Sequence, residues 1–107
     1  MLTLLFDLDL DATLLAKITA SNVADRFHIA KKKGRIAVGC DADFVLVDSR
    51  GDTRITRETL HYKHKYTPYL GRTLRGKIVR TILRGQTVAL DGKLVGEPRG
   101  RLLTPEP

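Results

Sequence analysis

The stretch Gly76–Val95, GKIVRTILRGQTVALDGKLV, decides the fold. Ile78, Val79, Ile82 and Leu83 supply the apolar residues of a strand, and Arg84-Gly85-Gln86 turns the chain. Thr87–Leu90 is the return strand, and Asp91-Gly92 is a strong signal for a two-residue hairpin turn leading into Lys93–Val95. Such a turn needs positive φ at both central positions, which Asp tolerates and Gly adopts without steric cost. Upstream, Phe44–Val47 is a short continuous apolar run rich in β-branched residues, which predicts a strand buried on both faces. Asp48–Asp52, with Gly51 inside it, predicts a loose polar turn that closes this strand.

Residues 12–27 have the helical period. Leu14, Leu15, Ile18, Val23 and Phe27 fall largely on one stripe, with Asp11 placed to cap the N-terminus. This amphipathic helix needs a partner for its apolar side. Lys31–Lys33 and Gly34 break the pattern and predict a solvated basic connector. Thr56 and Thr59 mark a possible helix start, with Thr59 where a capping box has Glu or Gln. The tail containing Pro98, Gly100, Pro105 and Pro107 has too few apolar residues to order itself. The sum is an α+β unit: a helical segment over 1–30, a small, mainly antiparallel β sheet or half-sandwich over 31–98, and a flexible tail over 99–107.

At 107 residues the chain is long enough for one domain and too short for a complete (β/α)8 barrel, which takes about 250. Its net charge of +7 is unevenly spread. Residues 1–30 hold Lys17 and Arg26 against Asp7, Asp9, Asp11 and Asp25, so the positive excess lies in the remainder. Basic surfaces neutralise phosphates, but such a field bears on solubility and non-specific binding more than on fold. Cys40 is the one cysteine, which excludes an intrachain disulfide and fits a reducing, cytoplasmic setting. The opening Met1–Phe6 is too soon followed by Asp7, Asp9 and Asp11 to read as a signal peptide, and no apolar run approaches a membrane span.

Three constellations invite a chemical reading. His61 and His64 are three apart and would share a helix face as metal ligands, but Pro68 and the flanking lysines predict a loop, and positive charge there disfavours a cation. Tyr62, Tyr66 and Tyr69 alternate with Lys63, Lys65 and Arg72, a combination that elsewhere stacks bases and meets phosphates. The alternative is that the tyrosines pack while their hydroxyls hydrogen-bond at the surface. Cys40 sits beside Asp41 and Asp43, whose charge opposes a thiolate nucleophile.

A resemblance orders these pieces. Leu60–Gly85, LHYKHKYTPYLGRTLRGKIVRTILRG, resembles the C-terminal signature of the allantoinase family of cyclic amidohydrolases. Gly34–Asp48, GRIAVGCDADFVLVD, is similar to the segment by which amidohydrolases leave their barrel and enter a small β domain, and Ser21–Phe27, SNVADRF, resembles the helix end before it. Val23 stands where the family usually has Pro, and His28 where it usually has Gly. Dihydroorotases and hydantoinases share the Gly-rich blocks; the Lys-His-Lys, Pro-Tyr and Gly-Arg run points to allantoinase.

The resemblance implies a cyclic-amide hydrolase of purine catabolism. Its binuclear metal centre, usually zinc, makes hydroxide that attacks the amide. That centre needs four histidines, a His-x-His pair among them, together with a carboxylated lysine and an aspartate. This chain has His28, His61 and His64, none in such a context. The expectation is therefore no catalytic, cofactor-binding or metal-ligating residue in this chain, with the ligands outside it. The resemblance also implies a β domain completed by strands from elsewhere. Self-association, or a missing barrel domain or subunit, is the expected partner. The alternative is a non-enzymatic basic module that uses Tyr62–Arg80 on nucleic acid or an acidic protein.

Overall fold

Helix formation begins one element earlier than the sequence pattern predicts. In a computed structural model, which describes residues 1–105, α1 spans Leu2–Asp7. Six residues are too few to hold a helix alone, and tertiary contact supplies the rest. Thr3 donates its hydroxyl to the Arg75 carbonyl at 3.2 Å. The Arg75 guanidinium lies 5.5 Å from the centre of the Phe6 ring and 3.1 Å from the Asp7 carboxylate, and Leu5 is buried.

The amphipathic segment follows as three consecutive pieces: α2 (Ala12–Ala16), a π-helical turn (Lys17–Ser21) and α3 (Asn22–Arg26). Asp11 is the cap, its carboxylate accepting the Thr13 N–H at 2.8 Å. The Thr19 hydroxyl donates back to the Leu15 carbonyl at 2.7 Å, a bond of the kind that competes with the helix ladder. The Asn22 N–H then reaches the Lys17 carbonyl, five residues back. At the exit the Ile29 N–H donates to Ala24 O and the His28 N–H to Asp25 O, at 2.9 and 3.2 Å. This is the Schellman pair of bonds, and it requires a left-handed residue at His28, whose φ is +54.

The sheet is an antiparallel meander of β1 (Phe44–Arg54), β2 (Thr73–Leu83), β3 (Gln86–Leu90) and β4 (Lys93–Leu94), in that spatial order. Leu83 pairs with Gln86 and Leu90 with Lys93, so two residues make each turn. Both turns have positive φ throughout: +47 and +78 at Arg84-Gly85, +46 and +77 at Asp91-Gly92. That is the primed turn whose twist suits a hairpin. The expected terminal hairpin is therefore present, and Val95, beyond β4, still donates to the Val88 carbonyl.

Three expectations are corrected. Asp48–Asp52 does not end the strand. Asp48 pairs with Lys77 and Asp52 with Arg75, so Ser49, Arg50 and Gly51 bulge out opposite Gly76 alone, and pairing resumes to Arg54. Within the bulge the Arg50 N–H is taken by the Asp48 carboxylate at 2.9 Å. Phe44–Val47 is not buried on both faces, since Val45 and Leu46 are 55% and 49% exposed. Nothing among the described residues lays a second layer over that part of the sheet. Thr56–Thr59 is a closed turn rather than a helix start, the Thr59 hydroxyl accepting the Thr56 N–H at 3.1 Å and donating to its carbonyl at 2.9 Å.

The resulting α+β architecture has few fully buried apolar residues. Leu5, Ala24 and Leu60 lie under α1, under the Gly34 connector and beneath the 55–61 segment, and the helical stripe of Leu14, Ile18, Val23 and Phe27 stays exposed.

Candidate functional site

A tightly held polar cluster forms at the connector that the sequence pattern predicts to be solvated. Lys33 folds back onto the strand entry, its ammonium 2.7 Å from Asp41 Oδ2 and hydrogen-bonded also to Asp43 Oδ2. The other oxygen of Asp43 accepts the Arg84 backbone N–H at 2.8 Å, and the Gly85 N–H donates to Ala42 O at 2.9 Å. The first hairpin turn is thereby tied to the connector. Burial alone pulls the Lys33 pKa down, but the two carboxylates outweigh it and hold the ammonium above its ordinary value. For Asp43 burial pushes up, while Lys33 and the Arg84 N–H pull harder and leave the carboxyl below the usual range. All three side chains are engaged with one another, so the cluster has the chemistry of a clamp. The Asp-x-Asp spacing that places both carboxylates on Lys33 was the available signal.

The histidines do not converge. His61 Nε2 lies 2.8 Å from the Gly92 carbonyl and so braces the second hairpin turn. His64 lies in irregular loop rather than on a helix, and His28 occupies the left-handed helix exit. Among the described residues no three His, Cys, Asp or Glu side chains are grouped to hold a metal ion. The described residues do not fit a binuclear centre. Cys40 is half-buried, its thiol facing the Lys31 carbonyl at 3.7 Å.

The basic–aromatic loop is ordered mainly by its own backbone and by Lys65, whose ammonium donates to the Leu60 carbonyl. Arg72 lies 5.8 Å above the Tyr69 ring, the Tyr62 hydroxyl donates to Tyr66 O at 3.4 Å, and the Tyr66 side chain is 80% exposed. Beside this loop, a groove of about 570 Å³ opens between the sheet and the 55–61 segment, lined by Ile55, Leu60, His61, Ile78, Val79 and Ala89 among others. Its walls are mainly apolar, with Asp52, Glu58, Lys77, Asp91 and Lys93 among the polar residues that border it. No helix among the described residues is long and apolar enough to cross a membrane.

With that geometry in view, likeness to known proteins decides the lineage. The amidohydrolase family profile matches residues 3–88. This chain belongs to the amidohydrolase family. An allantoinase from Rubrobacter xylanophilus is 49% identical over 92 residues, which cover 86% of this chain and 20% of that enzyme. One from Desulfitobacterium hafniense is 48% identical over 91 residues, with the same one-fifth share of its length. Among solved structures a D-hydantoinase superposes with a TM-score of 0.80 at 31% identity, over 87% of this chain and 20% of its own. The L-hydantoinase (dihydropyrimidinase) of Arthrobacter aurescens gives 0.77 at 33% identity, over 82% and 20%. The chain thus spans about a fifth of the length of these relatives and corresponds to a fragment of an allantoinase- and hydantoinase-like amidohydrolase. The family match spans the Lys33 clamp and the tyrosine-rich loop alike.

Proposed function

We propose that this chain supplies the helix-and-sheet portion of an allantoinase-type cyclic-amide hydrolase and is not catalytic by itself. The carrying observation is the 49% identity to an allantoinase over one-fifth of that enzyme's length, in a segment whose three histidines lie apart. Hydrolysis of a cyclic amide, allantoin to allantoate, would need metal ligands from the remaining four-fifths. The role of this chain is mechanical: its clamp and hairpins hold a small sheet whose exposed face and helical stripe receive the rest of the enzyme.

The purified chain should turn over neither allantoin, dihydroorotate nor hydantoin, with or without zinc, cobalt or manganese. Metal-dependent turnover that survives controls for host enzyme would overturn this. Co-expression with the Rubrobacter allantoinase lacking its matching 92 residues should restore hydrolysis of allantoin if the segments are interchangeable. Without that partner, the exposed stripe at Leu14 and Ile18 favours association between copies. Sedimentation at high micromolar concentration should then show species larger than 11.9 kDa.

A further inference from the structure

The first hairpin turn and the segment after β4 enclose a groove of about 320 Å³ lined by Leu83, Arg84, Gln86, Arg99, Gly100 and Arg101. That volume is at the small end of ligand pockets, roughly 300 to 1,000 Å³. Three arginines line it, and none has an ion pair with a carboxylate among the described residues. Asp43, whose charge interacts with that of Arg84, spends its two oxygens on Lys33 and the Arg84 backbone N–H. Two of the arginines are positioned: Arg84 donates through Nη2 to the Arg99 carbonyl, and Arg99 through Nη1 to Gln86 Oε1. Each guanidinium has five N–H donors, so these bonds leave most of them unused. A Cβ built on Gly100 would meet nothing, so the groove is open at that point.

We propose that this groove is a binding site for a single phosphate group, held by Arg84, Arg99 and Arg101. Planar guanidinium forks match the oxygens of a tetrahedral oxyanion and bind it by charge-assisted hydrogen bonds. Among the described residues only Asp43 offers these arginines a counter-charge, and it acts on Arg84 while already bonded to Lys33, so an entering anion adds the neutralisation that Arg99 and Arg101 lack. The side-chain length of arginine and the cross-bracing through Gln86 favour a compact phosphate over an extended chain of them. The site is separate from the apolar groove and from the tyrosine-rich loop, and its existence does not depend on the hydrolase reading.

Calorimetric titration of the full chain with inorganic phosphate, at constant ionic strength in chloride, tests this. Saturable binding of one phosphate per chain is expected, weakened about tenfold in Arg99→Gln and in Arg101→Gln. Arg50→Gln removes the same charge in the β1 bulge, at the other end of β2 from the Arg84 turn, and should leave the affinity unchanged. Failure to saturate, or equal weakening by Arg50→Gln, would overturn the proposal. Circular dichroism of each variant separates loss of the site from loss of the fold. A ten-nucleotide oligothymidine distinguishes the source of the phosphate. Affinity close to that of inorganic phosphate, with the same loss in Arg99→Gln, supports a single-phosphate site; much tighter binding that is indifferent to Arg99 and Arg101 would sink it.

Discussion

Two glycines with nearly the same backbone geometry stand in opposite surroundings. Gly92, in the second hairpin turn, has φ +77 and open space where a side chain would sit. Gly34, at the end of the basic connector, has φ +87, and a Cβ there would lie 2.4 Å from Ala24 Cβ and 2.9 Å from Ala20 O. The hairpin requires only a conformation, which nearby residues state openly. The connector requires a conformation and a contact with a helix ten residues earlier in the chain, just past the π-helical turn. A local rule therefore accounts for one glycine, and packing adds a second constraint at the other.

The sharpest way to break this comparison is Gly34→Ala. It combines the left-handed penalty of about 1–2 kcal/mol with an overpacking cost of about 1–3, a large share of the roughly 5–15 kcal/mol that holds a typical domain. Urea denaturation should show the lowest midpoint of the series, or no folded baseline; a midpoint above that of Gly92→Val would dissolve the contrast.

Gly92→Val comes next, at about 1–2 kcal/mol, because only φ is offended. Gly51→Ala, which a loose polar turn at Asp48–Asp52 would tolerate, moves up to a comparable cost. In the bulge its new Cβ would stand 2.8 Å from Lys77 Cβ, and overpacking typically costs about 1–3 kcal/mol. Equal midpoints for Gly51→Ala and the unaltered protein would return that segment to a loose turn.

His28→Gly should act in the other direction. The Schellman exit holds a side-chain-bearing residue at φ +54, and relieving that strain offsets the larger entropy of glycine in the unfolded chain, for a net gain of up to about 1 kcal/mol. A lower thermal midpoint would show that the His28 side chain makes a contact worth more than the strain.

The smallest effect is a pH dependence at the Lys33 clamp. Asp43 has a folded pKa below its ordinary value, so its contribution is complete above about pH 4 and is lost as pH falls through the depressed pKa. Lys33 has a raised one, so its share persists below its ordinary pKa and is lost only as strongly alkaline pH passes the folded value. Because the pair is partly exposed, the total is of the order of 1 kcal/mol. The stability difference between the protein and Asp43→Asn should be flat from pH 5 to 9 and shrink below pH 4; a difference that persists undiminished at pH 2 would remove the clamp.

Local chemistry made much of the α+β architecture legible. The Asp11 cap, the two-residue turn at Asp91-Gly92 and the strand after Gly76 are stated by residues within a few positions of one another. Short-range sterics and hydrogen bonds decide them whatever lies further along the chain. The Gly-rich and Lys-His-Lys blocks likewise placed the chain in its family. Long-range partners decided the rest. A six-residue helix at Leu2–Asp7 exists because Gly76 leaves room for Leu2 and Phe6 against β2. Ser49–Gly51 becomes a bulge because β2 offers pairing on both sides of it. Lys33 turns inward because Asp41 and Asp43 lie across the connector, and Arg84 meets Arg99 because a hairpin and the segment after β4 are brought to one edge. Sequence patterns record what a residue does to its neighbours, whereas these features depend on which distant surface arrives, and that is settled only when the chain has folded.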